Sequence, residues 1–158
     1  MSDQAYAAST GGASKIPDAV TTVVPALGRA MISVLFLLSG VSKIAAPAVT
    51  IGYIQAAGLP LPQVAFALSA FVEIVGGLTL LLGFRTRIVA TIMFFFALAT
   101  AAFFHHNFAD QNQMIHFLKN VMMAGGLLQI VAFGAGAISV EQWRRKSGTQ
   151  SASDAITA

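Results

Sequence analysis

A few ionisable and amide side chains lie inside long apolar stretches of the sequence, where they are costly to place. Glu73 lies near the middle of one such stretch, and Lys119 and Asn120 lie near the start of another. A carboxylate at this depth takes up a proton unless a cation or hydrogen-bond donors stabilise its charge. The pattern therefore indicates either an ion pair that fixes helix packing, or a polar core that binds a ligand or moves protons.

Helical periodicity places these polar side chains on one face of each stretch. At 1.5 Å per residue, Glu73 lies at a depth between Arg29 and Lys119, so we expect these two cations to reach its carboxylate. We assign no catalytic residue. The predicted polar core, which is also the predicted ligand-binding set, consists of Arg29, Lys43, Glu73, His116, Lys119 and Asn120.

The histidines suggest two further kinds of chemistry. His105, His106 and Asp110, together with His116, are the candidate metal ligands, but their spacing matches no known metal signature, and we predict no metal site. We expect His105 and His106 to mark a membrane interface. His116 shares a helix face with Lys119, where it would either relay protons near neutral pH or donate a hydrogen bond.

The composition shows what must position these residues. Of the 158 residues, 56% are hydrophobic and 9% are charged, whereas soluble domains have about 25% charged residues. Crossing a bilayer takes about 20 apolar residues, and only helices satisfy their own backbone groups there. We predict an all-α integral membrane protein, a bundle of four transmembrane helices within residues 23–140. The spans run from about 24–44, 63–84, 88–104 and 114–138.

The connections and tails complete this organisation. Between the first two spans, Pro47 can open a helix and Gly58 can close one, so we expect a short helix lying at the outer surface. Residues 1–22 are rich in Ala, Ser, Thr and Gly, and we predict a disordered cytoplasmic tail. Residues 141–158 are predicted to be a second cytoplasmic tail, first basic and then disordered.

The basic residues predict the orientation in the membrane. Basic residues accumulate on the cytoplasmic side, so both termini are predicted to be cytoplasmic. This asymmetry also explains the pI near 9.7, so we expect no nucleic-acid partner. The absence of cysteine excludes disulfides and thiolate sites. The seven residues on the predicted cytoplasmic side are Lys15, Arg29, Arg85, Arg87, Arg144, Arg145 and Lys146.

The ordered motifs "RAMISVLFLLSGVSKI", "YIQAAGLPLP", "VEIVGGLTLLLGFRTR", "FHHNF" and "IHFLKNVMMAGGLL" resemble the DoxX-like family of small membrane proteins. The resemblance implies a four-helix bundle in the bacterial inner membrane. Some members are associated with membrane redox complexes, including quinone-coupled thiosulfate oxidation, and with resistance to oxidative stress or quinones. Thiosulfate oxidation in that family uses a partner subunit that nothing here resembles. The residues that match the family pattern are Arg29, Lys43, Glu73, Lys119 and Asn120.

Three functions are consistent with these features. The first is a redox-associated subunit that binds a quinone or similar small apolar ligand in the polar core, with membrane oxidoreductase subunits as partners. The second is a non-catalytic scaffold in the bilayer, in which the ion pair is structural. The third is a carrier for a small solute or protons, for which a homodimer could complete the pathway. No cofactor other than a quinone is implied.

Overall fold

The computed structural model describes residues 17–157, and all the regular structure in that range is helical. Four segments are long and apolar enough to cross a membrane: Asp18–Ala45, Pro62–Leu82, Thr86–Phe104 and Gln111–Phe133. The predicted all-α, four-span membrane fold is therefore confirmed. In chain order the helices are α1 (Asp18–Ala45), α2 (Pro47–Ala56), α3 (Pro62–Phe71), a π-helical segment (Val72–Gly76), α4 (Gly77–Leu82), α5 (Thr86–Phe104), α6 (Gln111–Phe133) and α7 (Val140–Thr157).

Prolines and glycines determine most of the helix ends. Pro47 and Pro62 occupy the first positions of α2 and α3, where the missing N–H costs no intrahelical hydrogen bond. Gly83 follows α4 with φ 71° and Gly134 follows α6 with φ 81°. These left-handed conformations suit glycine, which has no Cβ to clash with the neighbouring carbonyl. Gly83 thereby lets a short connection, residues 83–85, join α4 to α5.

The helix bounds differ most from the predicted ones at three places. Helix α1 begins at Asp18, so residues 18–22 of the predicted disordered tail are helical, while residues 1–16 lie outside the described residues. Helix α6 ends at Phe133 rather than near 138, because a left-handed glycine follows it. The C-terminal segment forms α7 instead of a disordered tail. Its Ala, Gln, Arg and Lys residues favour helix.

Small residues allow the spans to approach one another closely. A Cβ at Gly77 would lie 2.9 Å from Leu37 Cγ, and one at Gly40 would lie 2.8 Å from Ile74 Cδ1. Helix α1 therefore packs against both α4 and the π segment with little space between the backbones. Helix α5 packs mainly against α6 and closes the other side of the bundle. The buried centre includes Phe36, Leu80, Met93 and Leu127.

Arg29 lies at the end of the bundle opposite α2, where it holds two connections. Its guanidinium is buried and donates hydrogen bonds to the carbonyl oxygens of Ala135, of Ile138 at 2.7 Å and of Leu81 at 3.4 Å. The chain leaves its helices at these positions, so the carbonyls have no partner within a helix. The prediction that Arg29 reaches Glu73 is wrong. The guanidinium instead fixes the segment between α6 and α7 against the end of α4.

Replacement of Arg29 by methionine is expected to destabilise the fold, because it removes the donors to these buried carbonyls. Each unsatisfied carbonyl costs about 1–3 kcal/mol. Arg29→Lys keeps the charge but not the planar arrangement of donors, so its stability should be intermediate. The measurement is the temperature at which half of the detergent-purified protein loses its monodisperse peak. Arg145→Met, on the exposed surface of α7, is the matched control; equal melting of all three variants and wild type would contradict this role.

Candidate functional site

Glu73 and Lys43 form an ion pair between the π segment and α1. Lys43 Nζ lies 2.6 Å from both carboxylate oxygens of Glu73. The hydroxyl of Ser39, one turn before Lys43, donates to Glu73 Oε1 at 3.0 Å and accepts from Lys43 Nζ at 3.0 Å. The side chain of Glu73 is 4% exposed and that of Lys43 is 25% exposed. The carboxylate is therefore stabilised by one cation and one hydroxyl group, both supplied by α1.

The expected partners of Glu73 were Arg29 and Lys119, and the observed partner is Lys43. The local packing explains the difference. A Cβ at Gly40 would lie 3.1 Å from Glu73 Cβ, so the backbone that carries Glu73 lies directly against this turn of α1. Lys43 follows Gly40 by less than one turn and extends back to the carboxylate. Within residues 17–149, whose side chains the structure describes, this is the sole ion pair.

The helical turn that carries Glu73 is a π turn, spanning Val72–Gly76. A π turn accommodates one more residue than an α turn, so it rotates the following residues about the helix axis. Single π turns within α-helices occur often at functional sites. The sequence did not predict this π turn, because Pro62–Leu82 is one continuous apolar segment. Glu73 is the second residue of this turn, and it is buried inside the bundle.

A cavity of about 690 Å³ lies between the ion pair and α2. Its walls come from α1, α3, the π segment, α5 and α6, and α2 covers one end. The structure brings five of the six predicted site residues to this cavity and leaves Arg29 at the other end of the bundle. The ionisable and amide side chains that line it are Lys43, Glu73, His105, His116, Lys119 and Asn120.

Aromatic side chains form much of the remaining wall and connect it to α2. Tyr53 of α2 stacks on Phe104 of α5 with ring centroids 5.5 Å apart, and its hydroxyl donates to the Phe104 carbonyl at 3.3 Å. Ile54 is 4% exposed, which shows that α2 packs its apolar side inward. Helix α2 is the short helix expected between the first two spans, and it covers the cavity. Phe36, Phe96, Phe103 and Phe104 contribute to the wall.

The candidate metal ligands do not converge. The Asp110 carboxylate accepts hydrogen bonds from the N–H groups of Asn112 at 2.8 Å and Gln113 at 3.4 Å, so it caps the start of α6. His106 is exposed. Among the residues that the structure describes, no three His, Cys, Asp or Glu side chains are grouped to hold a metal ion.

His105 and His116 instead form a stacked pair at the edge of the cavity. Their ring centroids are 5.0 Å apart with an angle of 23° between planes. His105 Nδ1 lies 3.0 Å from Gln113 Oε1, a hydrogen bond that orients the first ring. Asn120 donates to the His116 carbonyl at 2.9 Å. Sequence reasoning assigned His105 to the interface and missed that it lines the cavity, because it precedes α6 and has no helical register with His116.

Comparison with known proteins identifies similar chains. The DoxX family profile matches residues 24–106, which includes Lys43 and Glu73. The chain is 37% identical over 123 residues to "Inner membrane protein YqjF" of Escherichia coli (strain K12), covering 76% of this chain and 91% of that protein. It is 31% identical over 121 residues to "Inner membrane protein YphA" of the same organism, covering 73% and 86%. No solved structure matches significantly.

Removal of the Glu73 carboxylate is expected to destabilise the bundle, because Lys43 would be left without its counter-charge. Breaking a buried pair costs roughly 3–5 kcal/mol, and we expect the lower end since Lys43 is 25% exposed. Glu73→Ala should therefore lower the yield and melting temperature of detergent-purified protein. The double variant Lys43→Met/Glu73→Leu should recover most of the loss, because neither charge remains. Wild-type stability of Glu73→Ala would show that the pair does not hold the helices together.

Proposed function

This chain belongs to the DoxX family of integral membrane proteins, and from that premise we propose that it binds a quinone, or a similar small apolar ring compound, in the cavity beneath α2. We further propose that it does so in the bacterial inner membrane, as the names of its two relatives suggest. The observation that carries the proposal is the cavity itself. Its volume of about 690 Å³ lies within the roughly 300–1,000 Å³ typical of small-molecule sites.

The walls suit a flat ring with polar atoms at its edge. Phe36, Phe96 and Phe103 offer aromatic surfaces on which a planar ring can stack. The amino group of Lys119 is a donor that a ring carbonyl oxygen could accept from. The three N–H donors of Lys43 are already engaged by the Ser39 hydroxyl and the two carboxylate oxygens of Glu73, so Lys119 is the lysine available to the ring.

A quinone would supply two-electron redox chemistry that this chain's side chains do not provide. The sequence has no cysteine, so no dithiol can relay electrons. The role of the chain in this proposal is to bind the ring, orient it with Lys119, and limit its contact with water through α2. Electrons would then be exchanged with a membrane-associated oxidoreductase subunit as partner.

Mass spectrometry of organic extracts from the detergent-purified protein tests this proposal. Wild-type protein should retain a quinone in an amount comparable to that of the protein. Ala99→Trp should abolish retention, because Ala99 lines the cavity and the indole would fill it.

Ala102→Trp is the matched control for this experiment. Ala102 is an exposed residue of the same helix that does not line the cavity, so the variant should retain the quinone. Wild-type protein without quinone, from membranes that contain it, would contradict the proposal. Equal retention by both tryptophan variants would place any bound quinone elsewhere.

We also propose that both termini are cytoplasmic and that α2 faces the opposite side, on the basis of the positive-inside rule. Because the chain has no cysteine, single introduced cysteines report their location unambiguously. Ala109→Cys, between α5 and α6, should react with an impermeant maleimide in intact spheroplasts. Gly148→Cys, in α7, should react only after the membrane is opened. The reverse labelling pattern would invert the orientation.

A further inference from the structure

Lys119 lines the cavity, and its positive charge has no counter-charge among the described side chains. Lys43 and Glu73 neutralise each other, and no carboxylate lies within 4.0 Å of Lys119 among residues 17–149. Asp110, on the same helix, is engaged with backbone N–H groups at the start of α6. The cavity lining therefore has a net charge of +1 when its histidines are neutral. An uncompensated charge within a membrane span is costly, which favours an anionic partner at this position.

The register of α6 against α1 places Lys119 across the cavity from the ion pair. A Cβ at Gly126 would lie 2.9 Å from Ile32 Cδ1, so this face of α6 lies against α1. Lys119 precedes Gly126 by about two helical turns, and Ser39 follows Ile32 by the same number of residues. Since α1 and α6 are antiparallel, Lys119 and Ser39 lie at the same level on facing sides.

The cavity also opens sideways toward the bilayer at this level. Leu35 and Leu38 of α1 line the cavity, yet they are 48% and 63% exposed on the apolar surface of the bundle. Lys119 is itself exposed while lining the same cavity. The opening between α1 and α6 is therefore bordered by leucines on one side and by a lysine on the other. A ligand that passes through it would come from the membrane and meet Lys119 first.

From this arrangement we propose that the cavity selects a membrane-soluble ligand with one anionic oxygen group, that Lys119 binds this group, and that the ligand passes between α1 and α6. This inference rests on the proposed function of the same site and specifies the class of ligand. The anion can belong to an acidic hydroxyl on a quinone ring or to the carboxylate of a fatty acid. A second anionic group would have no counter-charge in the described lining, so a single negative charge is expected.

Binding of two naphthoquinones to the detergent-purified protein tests the selection. Menadione is neutral, and its hydroxylated analogue phthiocol is anionic at neutral pH. Equilibrium dialysis should show roughly tenfold tighter binding of phthiocol, because the acceptor facing the Lys119 ammonium changes from a neutral carbonyl to an anionic oxygen, which adds the attraction of an ion pair. Lys119→Met should remove this preference and Lys119→Arg should keep it. Lys146→Met, which removes one exposed cation of α7, should bind both compounds as wild type does.

Dodecanoate and dodecanol form the second pair of probes, and they distinguish failure of this inference from failure of the proposed function. One outcome is that dodecanoate binds more tightly than dodecanol, that this preference depends on Lys119, and that neither naphthoquinone binds. This outcome would support an anionic lipid-like ligand and overturn the quinone proposal. Equal binding of menadione and phthiocol, unchanged in Lys119→Met, would overturn the anion inference and leave the quinone proposal intact. Wild-type protein that binds none of the four probes would overturn both.

Discussion

The buried pair of Lys43 and Glu73 is the interaction on which the arrangement of the bundle depends. A carboxylate at this depth needs a counter-charge, and the counter-charge comes from the last turns of α1. The need for this ion pair determines which sides of α1 and the π segment face each other. Gly40, which has no side chain, lets the two backbones approach closely enough for the pair to form. Glu73 is buried within the π turn, and both members of the pair line the cavity, so a single pair contributes to the packing of two spans and to one wall of the cavity.

The two ends of the bundle differ in how tightly they are held. At one end, Arg29 satisfies carbonyl groups of two connections, and no described cavity-lining residue comes from that end. At the other end, α2 covers the cavity, and Tyr53 attaches α2 to α5 by stacking on Phe104 and by a hydrogen bond to its carbonyl. The Lys43–Glu73 pair at this second end also stabilises the fold, whereas Lys119 is exposed and has no carboxylate within 4.0 Å among the described side chains. Under the proposed function, this division would let one small bundle bind a ligand at one end and keep its packing at the other.

The charges that line the cavity restrict the class of ligand more than membership in the family does. Membership in the DoxX family, with relatives named inner membrane proteins, establishes a membrane protein and leaves its ligand open. The lining combines aromatic surfaces, one neutralised ion pair and one unbalanced lysine. In a low-dielectric environment that single lysine has a larger effect on ligand preference than it would have at a water-exposed surface. In the proposed route the ligand enters from the lipid between α1 and α6, where this lysine lies, so the residue that selects the ligand also borders its entrance.

The sequence by itself determined the four spans, the short helix between Pro47 and Gly58, and the polar face of the first, second and fourth spans. These follow from hydrophobic length, backbone geometry and periodicity, which act within a single helix. Only the tertiary structure decided which cation meets Glu73. The depth of each residue along its helix favoured Arg29 and Lys119 as the partners of Glu73. Depth does not specify how one helix is rotated relative to another. The close approach of the backbones at Gly40 brings the Glu73 carboxylate to Lys43 instead. The π turn and the stacking of His105 on His116 were likewise set by packing between elements, since contacts between separate helices leave no periodic signal in either one.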